Sequence, residues 1–211
     1  MRERGIIFNA EMVRAVLEGR KTQTRRVIDW RRTTRATEIA QREDGSNWPW
    51  SEDCENGGDY WHSCPFGEVG DRLWVRETFR VHSRATDVAT LVYRASERQS
   101  WTQQTHRVPV VNCNKPVSPE NWTPSIHMPR SASRITLEIT GVRVERLDGI
   151  SNADAMSEGV GVAYGWDEAK DVVPRDARRR FAELWQSIYG EESWQANPWV
   201  WVIEFKRVEA E

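Results

Sequence analysis

An α+β domain with a barrel-like, mostly β core is the fold class the sequence predicts, and three observations predict it. Ile135, Leu137 and Ile139 alternate with Thr136, Glu138 and Thr140, and Leu73 and Val75, continued by Phe79 and Val81, mark the inner side of a run over 71–81. A period of two is the mark of a half-buried strand. The closing run Trp199-Val200-Trp201-Val202-Ile203-Glu204-Phe205 is apolar on both faces at first, which suits a central strand. Only about 9–19 and about 174–189 carry a strong helical period with end signals. The 211 residues, 38% of them hydrophobic, suffice for one domain with a single core, so the chain is read as one domain, 1–211.

The elements follow in order. Gly5-Ile6-Ile7-Phe8 reads as a short strand, and Asn9 as the N-cap of a helix carrying Met12, Val13, Val16 and Leu17, which Gly19 ends. Arg20 to Arg26 has no apolar face and reads as a loop or an exposed strand start. Residues 29–66 show no sustained period and read as a first insertion, packed down by Trp48, Trp50, Tyr60 and Trp61. A strand is expected at Thr90–Arg94, and residues 96–130, rich in proline, read as a second insertion. Gly141 suggests a bulge after the 134–140 strand. Ser151 with Asp154 is a capping-box signal for a short helix ending near Glu158-Gly159. Pro174 opens the second long helix, whose stripe is Ala177, Phe181, Leu184, Trp185 and Ile188, and Gly190 ends it.

Composition narrows the function. No stretch approaches the roughly 20 apolar residues of a membrane span, and the apolar run after the basic N-terminus is too short for a secretory signal. Three cysteines make a full disulfide framework impossible, so a cytoplasmic setting is expected. A net charge of −2 argues against duplex binding by charge alone, but it hides two basic blocks, +6 over 1–42 and +6 over 72–147. The 12 Trp, and the 26 Arg against 4 Lys, suit flat or anionic partners such as bases and phosphates, and equally suit core filling and a biased genome.

Candidate chemistry gathers at few places. Lys21 and Thr24 bring an amine and a hydroxyl close in sequence, flanked by Arg20 and Thr22. Three positions apart in an extended chain they would face opposite sides, so a turn is needed to join them. By chemistry alone the segment also fits a solvated loop. Arg76 and Glu77 are adjacent on a strand, so at most one faces a pocket; His127 and Arg130 suit a phosphate or base edge, or a structural role. Cys54, His62, Cys64 and Cys113 could form a tetrahedral zinc site, yet the spacing is wide and no CxxC is present. Buried thiols are the default, and no metal or cofactor is expected.

Four motifs occur in order: Gly19-Arg20-Lys21-Thr22, Val69-Gly70-Asp71-Arg72-Leu73-Trp74-Val75, Ser157-Glu158-Gly159 and Trp201-Val202-Ile203-Glu204-Phe205. Together they resemble the ASCH family of the PUA-like superfamily, especially the longer phage- and prophage-encoded members, and cover about half of the chain. The resemblance implies a PUA-like, mixed, mostly antiparallel β-barrel with flanking helices and two long insertions. Some small ASCH proteins are amidohydrolases that remove the acetyl group of N4-acetylcytidine; matched residue by residue, their catalytic Lys, Thr and Glu fall on Lys21, Thr24 and Glu158. Thr24 would be the nucleophile, Lys21 its base and Glu158 the proton donor to the leaving amine. Arg20, Thr22, Arg76, Glu77, His127 and Arg130 are the expected substrate-binding residues. Other family branches bind RNA or modified bases without turnover, and one type cleaves RNA, so fold alone does not settle activity. The expected partner is a modified nucleoside or single-stranded RNA, with no membrane and no obligate protein partner. A carboxylate at a helix C-terminus faces the unfavourable end of the dipole, which points to another demand on Glu158. Glu158→Gln is expected to leave folding intact and abolish deacylation.

Overall fold

The structure, a computed structural model, describes residues 1–30, 38–53, 57–113, 115–118, 120–160 and 176–208. In chain order its elements are β1 (Glu3–Ile7), α1 (Ala10–Leu17), β2 (Gln23–Val27), β3 (Glu38–Gln41), β4 (Asn47–Asp53), β5 (Gly58–Trp61), β6 (Arg72–Arg76), β7 (Phe79–Arg84) and β8 (Val88–Tyr93). There follow α2 (Trp101–Gln104), β9 (Thr105–Pro109), β10 (Thr136–Arg146), α3 (Asn152–Ser157), α4 (Ala177–Tyr189), α5 (Glu192–Gln195) and β11 (Trp199–Val208). The architecture is α+β and mostly antiparallel, with β1 and β6 as a parallel pair. Strand order is β1-β6-β10-β11-β2 in a five-stranded sheet, with separate three-stranded sheets β3-β4-β5 and β7-β8-β9. The barrel expectation is corrected here: among the described residues these are three sheets and no closed barrel is found.

Contacts gather the chain into two compact units. The first comprises Met1–Gly19, Gly70–Glu138 and Lys206–Glu211. In it Asn9 caps α1 by accepting from the Met12 N–H at 2.8 Å, and Gly19, at a φ of +74°, turns the chain away. The expected strand over 71–81 is two strands. It breaks at Glu77 and Thr78, where the buried Glu77 carboxylate turns to Arg134, and the chain enters another sheet. Phe79, Val81, Leu91, Tyr93, Val108 and Met128 form the core under that sheet. Residues 96–130 are more ordered than their prolines suggest: β9 pairs with β8, and Pro124 and Pro129 each precede a single 3-10 turn. Gly5 is required by its neighbours, since a Cβ there would lie 2.9 Å from both Arg76 Cδ and the Trp74 ring. Gly5→Ala is therefore expected to cost about 1–3 kcal/mol, the usual range for overpacking, read as a lower urea midpoint. A midpoint equal to wild type would show that the Trp74 ring yields freely.

The second unit comprises Arg20–Val69 and Ile139–Phe205. Here β11 lies between β10 and β2, as its two apolar faces require. On one face Val200 and Val202 pack with Phe181 and Trp185 of α4 and with Leu147 and Ile150. On the other, the buried Trp201 ring meets Trp48 of β4 edge-on, centroids 5.1 Å apart. Residues 29–66 contain a full antiparallel sheet where no period was legible. Pro49 stands inside its middle strand and accepts from the His62 N–H at 2.9 Å; a proline there hides a strand from any reading of the sequence. Across Gly141 the buried positions of β10 pass from Leu137 and Ile139 to Val144, the change of parity that a bulge produces; a Cβ there would lie 2.8 Å from a Glu204 carboxylate oxygen, so the glycine also serves close approach. Ser151 and Asp154 form the expected capping box of α3, and Gly190 ends α4 at a φ of +94°. Pro174, expected to open α4, lies outside the described residues. No helix among the described residues is long and apolar enough to cross a membrane.

Candidate functional site

The polar segment after Gly19 is not a solvated loop. Gln23–Val27 pairs antiparallel with β11, with Arg25 opposite Val202 and Thr24 opposite Ile203. Just before it, Lys21 bridges Glu158, and the Thr22 N–H donates to the Ser157 carbonyl at 2.8 Å. Side chains alternate along an extended chain, which puts Lys21, Gln23 and Arg25 on one face. That face meets α3, whose Asp154 and Glu158 are four residues apart and so lie on one side, one turn from each other. Two strand positions span about 6.6 Å and four helical positions about 6 Å, so the two rows of polar groups match.

The resulting cluster is buried and charged. The Lys21 side chain is 0% exposed; its ammonium donates to Glu158 Oε2 at 2.8 Å and to the Glu158 and Gln23 carbonyls at 2.9 Å each. Three acceptors match the three hydrogens of an ammonium. Arg25 donates from Nη1 to Glu158 Oε1 at 3.2 Å and from Nη2 to Glu145 Oε2 at 3.0 Å. Gln23 Nε2 donates to the Asp154 carbonyl and side chain. Arg143 completes the group, pairing with Glu145, Asp154 and Glu204. The unfavourable dipole end at Glu158 is thus answered by two buried cations, which settles why a carboxylate tolerates that position.

Burial pushes the Lys21 amine below the ordinary lysine range, against the opposing pull of the Glu158 carboxylate. A lysine lowered in this way is closer to the neutral form that a base requires. Asp154 lies below the usual carboxylate range: burial works to raise it, but the Ser151 hydroxyl, Arg25, Gln23 and Arg143 together outweigh that. Its folded value is below its unfolded value, so its contribution to stability is present above about pH 4. That contribution is lost as pH falls through the lower, folded value. Urea midpoints from pH 5 to pH 2 should therefore drop less steeply for Asp154→Asn than for wild type; parallel curves would remove Asp154 from the acid response.

Not every expected residue joins this cluster. Thr24 is buried, but alternation places it on the face opposite Gln23 and Arg25, together with Arg26 and their β11 partners Ile203 and Trp201. Arg20 is exposed and donates to the Gly159 carbonyl at 2.8 Å, and the Thr22 carbonyl accepts from the Phe205 N–H. Arg76, Glu77, His127 and Arg130 belong to the first unit. There Arg76 donates to the Ile126 carbonyl and lies over the Trp74 ring. Glu77 holds Arg134 at 2.8 Å while burial pushes its carboxyl up, Arg130 pairs with Glu3 at 3.0 Å, and His127 is exposed. Gln23, Arg25, Arg143 and Glu145 were missed by sequence reasoning. No alternation could have marked them, because residues 20–26 are polar at every position.

Cys64 and Cys113 are buried and in no disulfide, and the His62 ring engages the Ser51 hydroxyl at 3.0 Å. Cys54 lies outside the described residues. Among the described residues no three His, Cys, Asp or Glu side chains are grouped to hold a metal ion. Compared with family models, curated proteins and solved structures, the chain matches none of them.

Proposed function

We propose that the chain is an ASCH-type, PUA-like protein directed at nucleobases, and that it hydrolyses the acyl amide of a modified nucleoside such as N4-acetylcytidine. Lys21 and Glu158 are its proton-handling pair. One observation carries this reading: positions 137 apart in the chain, marked by the resemblance, meet at 2.8 Å in a buried place. In the reaction a hydroxyl oxygen attacks the acetyl carbon and its proton passes to the Lys21 amine. The C–N bond then breaks, and the departing cytosine nitrogen takes a proton handed on through Glu158. If the hydroxyl is that of Thr24, water afterwards releases acetate from the ester; if it is water, acetate leaves directly.

The test is acetate release from N4-acetylcytidine. Wild type should release it. Lys21→Arg keeps a cation but cannot act as a base, and should lower the rate by about 10²–10⁴-fold. Thr24→Val assigns the nucleophile: lost turnover places it on Thr24, whereas retained turnover places it on water. No release by wild type across the pH range would end the enzymatic reading.

The second reading is binding of a modified base or single-stranded RNA without turnover. It is favoured by the engagement of all three Lys21 ammonium hydrogens and by the position of Thr24 on the opposite face. RNA affinity that falls with salt, without acetate release, would support it. Cleavage of the RNA in the same incubation would instead indicate a nuclease.

A further inference from the structure

On the face of β2 turned away from Lys21 lies a cavity of about 390 Å³, and the Lys21–Glu158 chemistry makes no use of it. It is within the usual range for small-molecule sites, roughly 300–1,000 Å³. Its aromatic lining includes Tyr60, Tyr189 and Trp201, and its polar lining includes Arg26, Asp29 and His62. Several of these groups are fixed in place. Trp201 is buried and braced edge-on by Trp48, and Tyr60 stands edge-on to the His62 ring at 4.8 Å. The His62 carbonyl accepts from Trp48 Nε1 at 2.6 Å, and Arg26 reaches the Tyr189 hydroxyl at 3.4 Å. Tyr60 and Tyr189 remain substantially exposed, so rings are available at the mouth of the cavity.

From this lining we propose a second binding site, for the base of a neutral purine or pyrimidine nucleoside, separate from the Lys21–Glu158 cluster. Aromatic walls favour a flat π-faced ligand. The polar groups select among flat ligands. Arg26 brings donor groups and Asp29 acceptor groups to the lining, which a hydrocarbon ring, such as that of phenylalanine, has nothing to match. A nucleobase edge carries donors and acceptors side by side. One cation beside one carboxylate gives no net attraction for a phosphate, so the uncharged nucleoside fits better than its phosphate ester. Burial also pushes the His62 imidazole below its ordinary range, which keeps it neutral at neutral pH and adds no positive charge. Half of the site comes from residues 60–66, the end of β5 and the segment after it, so the site depends on what the sequence reads as an insertion.

Adenosine, guanosine, cytidine and uridine, each with its 5′-monophosphate, are titrated into the full chain by calorimetry and tryptophan fluorescence. At least one nucleoside should bind and quench fluorescence, and its monophosphate should bind more weakly. Tyr60→Ala and Arg26→Gln should each weaken binding tenfold or more, while Tyr60→Phe, which keeps the ring, should stay within about threefold of wild type. Thermal unfolding of each variant confirms that it is folded; Tyr60, 54% exposed, tolerates truncation. Absence of binding by all four nucleosides overturns the proposal. So does binding that is indifferent to both Tyr60→Ala and Arg26→Gln, or equal binding of phenylalanine. Acetate release plays no part in these measurements, so failure of the amidohydrolase reading leaves them unchanged.

Discussion

Glu158→Gln is expected to destabilise the folded chain by about 3–5 kcal/mol, the typical cost of breaking a buried ion pair from one side. The substitution removes the charge that both Lys21 and Arg25 face, and neither cation can turn to water, since both side chains are 0% exposed. Domains of this size hold roughly 5–15 kcal/mol in total, so a large fall in urea midpoint should be seen. This differs from the sequence expectation of intact folding, because Glu158 is buried rather than at an exposed helix end. The double variant Lys21→Met/Glu158→Gln removes both charges of the pair. It should cost less than the two single changes added, by about 0.5–3 kcal/mol. Additive costs would show that the two side chains do not act as a pair. Any loss of turnover in Glu158→Gln must accordingly be read on the folded fraction alone.

Trp201→Ala is the second large effect, about 3–5 kcal/mol for truncating a buried tryptophan. The ring is 1% exposed in the interior strand of its sheet and braced by Trp48. Near-ultraviolet circular dichroism should lose intensity together with the fall in melting temperature. A loss below 1 kcal/mol would mean that the surrounding side chains close over the gap. Trp201→Phe keeps most of the apolar volume and should retain a larger part of the stability.

The sequence makes some of this legible, for physical reasons. Apolar periods belong to elements that bury one face, so α1, β6, β10 and α4 could be read, and β11 followed from its two apolar faces. Caps are local chemistry, which is why Asn9 and the Ser151–Asp154 box were found where the structure has them. β2 was not legible as a buried strand because its inner face is polar and satisfied by α3, a partner 131 to 137 positions away. Gln23 and Arg25 look solvated until Asp154 and Glu158 are placed opposite them. β3, β4 and β5 were hidden by Pro49 and by tryptophans, which carry no alternation. The break after Arg76 depends on the distant Arg134, and no local period could announce it. Lys21 and Glu158 were named through a family likeness, whereas Arg25 needed the strand's pairing to be seen.

The distance along the chain between Lys21 and Glu158 also bears on kinetics. A contact between positions 137 apart is strongly non-local: its loop must be closed before the contact can stabilise anything, so it is expected to form late. Interactions absent from the folding transition state act almost wholly on the rate of unfolding. The pair therefore works as a latch: stopped-flow measurements on Lys21→Met should show faster unfolding with a nearly unchanged folding arm of the chevron. A chain held this way owes its persistence in the native state to a slow exit rather than to a fast entry.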